Sequence, residues 1–138
     1  MAFENIPASP DARTALIVLL DDNLFTSTRL ASALRARERQ VLVARGIESV
    51  EACDIAVINL GSRSLDGVAL IEPLRDRFPQ AKILGFCGHL ETQIRQAARA
   101  AGIDLLLTNE SVVALDWLSV LWLLEEGRDR PSPDETAP

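Results

Sequence analysis

Two adjacent carboxylates at Asp21-Asp22, an amide at Asn59, the triplet Cys87-Gly88-His89 and the run Thr108-Asn109-Glu110 are the residues of this 138-residue chain with chemistry to offer. Paired acids suit a hard divalent cation, which takes oxygen ligands, and either acid alone suits a helix N-terminus. Cys87 with His89 has the composition of a thiolate nucleophile and its base. No third residue is evident to orient that base, and a buried thiol beside an exposed loop histidine is the plainer reading. Asn59 is the most informative. It ends the apolar run Asp54 to Leu60, and a neutral amide oxygen is a far poorer nucleophile than a carboxylate.

These residues stand at the ends of apolar runs. Ala15 to Leu20, Val41 to Ala44, Asp54 to Leu60, Ala81 to Cys87 and Ile103 to Thr108 have the length and branched content of buried strands. Helical spacing fills the intervals: Leu24 to Arg37, a short Ile47 to Cys53, Gly67 to Phe78, Leu90 to Ala101 and finally Val112 to Glu126. This alternation predicts a parallel sheet with helices on both faces, whose binding crevice lies at the carboxyl ends of the strands. Asp22 or Asn23 is placed to cap the first helix and Gly102 to end the fourth. Pro73 falls inside the third helix and predicts a kink or a lost hydrogen bond there.

With Asp21-Asp22 closing the first run, Asn59 closing the third, Asp66-Gly67 seven residues later and Ala101-Gly102-Ile103-Asp104 before the last, residues 14–127 resemble the receiver domain of bacterial two-component response regulators. The resemblance implies an α/β, (βα)5 flavodoxin-like fold with a five-stranded parallel sheet in order 2-1-3-4-5. It also implies a crevice with two acids that hold magnesium, an aspartate that accepts a phosphoryl group, a serine or threonine, and a lysine before a proline. Asp21 and Asp22 match the acids. Asn59 stands at the aspartate, Cys87 at the hydroxyl, and Thr108-Asn109-Glu110 at the lysine and proline. Leu106 stands where receivers often carry a switching aromatic.

Each departure has a physical consequence. An amide at Asn59 removes the covalent step and the charge that would offset dehydration of magnesium. The Cys87 thiol is a weak donor to phosphoryl oxygen. Lys82, the sole lysine, begins the fourth strand at the opposite edge of the sheet. Asp21, Asp22, Asn59, Cys87 and Asn109 are thus expected to form a degenerate phosphorylation site with no catalytic residue, metal or cofactor. The expected role is a phosphorylation-independent signalling module, not an enzyme. The alternatives are a small hydrolase or redox sensor built on Cys87 and His89, and a regulator that binds a small ligand in the vacated crevice.

Composition bears on partners. A net charge of −6 with no basic cluster disfavours nucleic acid. No apolar stretch reaches the roughly 20 residues that span a bilayer, and the opening residues lack a signal-peptide pattern, so a cytoplasmic location is expected. Residues 1–13 and 128–138 are polar or proline-rich and read as disordered tails. The last helix is the exception to surface polarity: eleven of the thirteen residues from Val112 to Leu124 are apolar. They form two stripes, one of Leu115, Leu118 and Trp122, the other of Val113, Trp117, Val120 and Leu124. A surface helix buries one arc of somewhat over about 100°. The second stripe is therefore expected to meet another signalling protein or a second copy, with Arg95 and Arg99 as a charged rim.

Overall fold

A computed structural model describes residues 15–119; both expected tails, and Val120, Trp122 and Leu124, lie outside the described residues. Five strands form one parallel sheet: β1 Leu16–Leu20, β2 Gln40–Ala44, β3 Ile55–Asn59, β4 Lys82–Cys87 and β5 Leu105–Thr108. Their spatial order is 2-1-3-4-5, as expected. β3 and β4 are buried along almost their whole length, which is why they read as unbroken apolar runs. The sheet carries a core on each face. One contains Leu30, Leu34, Val57, Phe86 and Val112, the other Ile58, Leu60, Ile71, Leu74 and Ala98.

Among the described residues, four α-helices connect or follow the strands: α1 Leu24–Ala36, α2 Ile71–Arg77, α3 Thr92–Ala100 and α4 Asn109–Ala114. Asn23 caps α1, its side chain accepting from Phe25 N and Thr26 N. Gly102 ends α3 with φ near 91°, a left-handed conformation that glycine adopts without a Cβ clash. There Gly102 N donates to Arg99 O and Ile103 N to Ala98 O, the paired bonds of a Schellman termination. Pro73 lies near the start of α2. It is the third residue of α2, in the first turn, where a backbone N–H has no intrahelical partner to lose; a short 3-10 turn, Val68–Leu70, precedes it. The segment expected to be helical from Ile47 to Cys53 holds only a 3-10 turn, Ile47–Ser49.

The expected helix from Val112 to Glu126 is not continuous. α4 starts at Asn109 with no intervening loop after β5, because Thr108 and Ser111 cap each other's backbone reciprocally. It stops at Leu115, whose φ of 62° is left-handed, and a further helical turn begins at residue 117. That conformation costs a non-glycine residue about 1–2 kcal/mol. Burial of the Leu115, Trp117 and Leu118 side chains in the core below offsets it.

Candidate functional site

Parallel strands bring Asp21, Asp22, Asn59 and Cys87 to one edge, since each follows or ends a strand at its carboxyl terminus. Asp21 is 4% exposed and Asn59 8%. Buried polar groups need partners, and these two satisfy each other. Asn59 Nδ2 donates to Asp21 Oδ1 at 3.0 Å, while Asn59 Oδ1 accepts from Gly61 N at 3.1 Å. Asp21 Oδ1 also accepts from Asn23 N at 2.9 Å, and Oδ2 accepts from Thr26 Oγ1 at 2.5 Å. An amide suits this place, since it offers a donor to the carboxylate and an acceptor to the backbone N–H.

The other acid is engaged on the surface. Asp22 Oδ1 accepts from Ser62 Oγ, and that hydrogen bond is the main reason its carboxyl titrates below the usual range. Ser62 Oγ in turn accepts from Leu65 N at 3.1 Å. Magnesium requires charged oxygen ligands in near-octahedral geometry. The crevice does not meet that demand, because Asp21 is surrounded by protein donors and Asn59 is neutral. Among the described residues no group of three or more His, Cys, Asp or Glu side chains is arranged to hold a metal ion.

Gly67 keeps the loop after β3 close to this network. A Cβ there would meet Ile58 Cγ2 at 2.8 Å and the backbone of Asn59 and Leu60 at 3.1 Å, so Gly67 is a packing requirement of the strand end. On the next strand Cys87 is fully buried, and burial pushes its thiol up, opposed by Arg95. His89 is exposed, and the Cys87 sulfur accepts from Arg95 Nη1 at 3.8 Å. The thiol and imidazole are not brought together as a nucleophile and base. Asn109, at the start of α4, shares a cleft of about 690 Å³ with Asn59, Phe25, Arg29, Glu91 and Val113.

Several expected roles change. Arg95 is not a rim residue. It is half-buried, and its Nη1 donates to Leu107 O at 3.2 Å, which places a cation beside the end of β5 although no lysine is there. Trp117 is 3% exposed and its Nε1 donates to Val112 O at 2.9 Å, so it belongs to the core and not to an exposed second stripe. Val113 is exposed, as is Arg99. Sequence reasoning missed Thr26, Ser62 and Glu91. Only Glu91 left a trace in the sequence, the three-residue spacing from Gly88 across which its carboxylate accepts from Gly88 N at 2.8 Å.

No family model and no curated protein matches the chain. Solved structures do. A receiver domain protein from Methanospirillum hungatei superposes with a TM-score of 0.71 at 17% identity, covering 83% of this chain and 98% of that one. The fold is that of response-regulator receiver domains. A response regulator from Burkholderia pseudomallei, solved with a phosphorylated aspartic acid, a calcium ion and citrate, gives a TM-score of 0.63 at 24% identity, covering 84% of this chain and 75% of that one. A signal receiver domain from Pseudomonas fluorescens gives 0.66 at 18% identity, over 90% and 98%. A receiver fold explains why the acids and Asn59 converge, since the strand order brings β1 and β3 side by side. No described helix is long and apolar enough to cross a membrane.

Proposed function

We propose that this receiver-fold protein is a cytoplasmic signalling module that works without phosphorylation and without catalysis, through contact with another protein or a second copy of itself. The observation that carries the reading is the bond from Asn59 Nδ2 to Asp21 Oδ1. It fills the space between β1 and β3 with a neutral donor where phosphoryl acceptance needs a carboxylate and a cation. The strand end that would carry a lysine holds Thr108-Asn109-Glu110 instead, which supports the same reading. The proposed contact residues are Val113 and Arg99, both exposed, together with Val120, Trp122 and Leu124, which lie outside the described residues. Trp117 is excluded from that surface by its burial.

Incubation with acetyl phosphate and magnesium tests the chemical half of the proposal. The intact mass is expected to stay unchanged, and a stoichiometric phosphoryl adduct would refute it. Size-exclusion chromatography with light scattering tests the self-association arm, for which a dimer at micromolar concentration is expected. A persistent monomer leaves contact with a different protein as the remaining route.

A further inference from the structure

We propose that Glu91 is the resident anion of the strand-end crevice: its carboxylate takes the place that an external anion would occupy on the loop amide of Gly88. The inference rests on the reading that the crevice accepts no phosphoryl group, and adds what fills it instead. Glu91 Oε2 accepts from Gly88 N at 2.8 Å. The same oxygen lies 3.1 Å from where a Cβ on Gly61 would sit and 3.4 Å from one on Gly88. The carboxylate is therefore packed over both loops that follow β3 and β4, and a side chain at Gly61 would press on it. Gly61 N is already taken by Asn59 Oδ1, so the loops present their amides to acceptors that the chain itself provides.

A matching cation comes from the same helix. Arg95, one turn beyond Glu91, is half-buried and bridges the ends of β4 and β5 through Cys87 Sγ and Leu107 O. Both charges are close enough to act on Cys87, Arg95 lowering its pKa and Glu91 raising it. α3 and its N-cap residue thus bring a cation and an anion to the strand ends, and the crevice is charge-compensated from within. A carboxylate tethered three residues from its amide competes as though present at millimolar concentration or above. Free phosphate is excluded for that reason.

An ordinary turn bond would show the same distance, so the test measures competition. The full chain, labelled with nitrogen-15, is titrated with inorganic phosphate against chloride at matched ionic strength, following the Gly88 amide resonance. The wild type is expected to stay silent to about 20 mM phosphate, while Glu91→Ala shifts saturably with an apparent affinity at least about tenfold tighter. Glu91→Gln, a neutral isostere, is titrated alongside and carries the test if the alanine variant fails to fold; it is expected to gain affinity too. Glu110→Gln removes a charge from the same cleft and should leave Gly88 silent. A Gly88 shift in the wild type equal to that in the variants, or no shift in any Glu91 variant, overturns the proposal. Acetyl phosphate labelling of the wild type separates the two readings. An adduct sinks the phosphorylation-independent function, whereas an unlabelled wild type with unresponsive Glu91 variants sinks only the resident-anion inference.

Discussion

Placing a carboxylate in the crevice with Asn59→Asp should damage the fold before it adds any chemistry. In the wild type the Asn59 amide donates to Asp21 at 3.0 Å, and both residues are buried. The variant removes a hydrogen bond to a charged group, worth about 1.5–3 kcal/mol. It also sets two carboxylates about 4 Å apart or closer, a repulsion on the order of 4 kcal/mol at an effective dielectric of 20. Proton uptake limits the damage: holding an ordinary carboxyl neutral at pH 7 costs about 1.36 kcal/mol per unit over roughly three units, or ~4 kcal/mol. These terms overlap, so the expected loss is about 3–4 kcal/mol near neutral pH, a large share of a typical total of 5–15 kcal/mol. The introduced carboxyl binds its proton more tightly folded than unfolded. Its penalty is therefore full above the folded pKa, shrinks as pH falls through that value, and vanishes below the unfolded value of about 3.9. Urea denaturation followed by circular dichroism, in EDTA at about pH 7.5 and about pH 5, reads both the size and the slope. Magnesium should recover part of the loss by binding the rebuilt acid cluster. A variant within about 0.5 kcal/mol of wild type at the higher pH would show that the Asn59 to Asp21 bond is not what holds these strand ends.

Two further predictions concern packing. Trp117→Ala should cost about 3–5 kcal/mol in urea denaturation, because it empties a core site and orphans the indole bond to Val112 O; a loss below about 1 kcal/mol would return Trp117 to the surface. Cys53, whose thiol is pushed up to about 12 by burial and then by the charge of Asp54, should resist iodoacetamide in the native protein at about pH 8 and react after unfolding, as read by peptide mass. Native labelling at the rate of a free thiol would contradict that burial.

The sheet was legible because β1, β3 and β4 are buried on both faces and leave no polar alternation to confuse with a helix. Asn23 and Gly102 acted as the local rules require, since a cap and a left-handed terminator depend on near neighbours. The break at Leu115 was not legible. Leucine gives no local sign of a left-handed backbone, and the conformation is held by tertiary burial of Leu115, Trp117 and Leu118. The doubled stripe therefore looked like one helix with two greasy faces, whereas Val112 and Trp117 in fact join one core from two short segments. Asn59 could be located by its register, but its donor role could not, because the bond to Asp21 spans 38 residues of sequence. Arg95 was misplaced for a related reason. A long side chain can reach either outward or over a strand end, and helical spacing fixes only its root.

The passage from β5 into α4 has no linker at all, and Thr108 with Ser111 closes it through their own side chains. A hinge needs slack, and this corner has none. Motion that begins elsewhere in the molecule cannot be absorbed there, so β5 and α4 must travel as a single rigid lever or stay still.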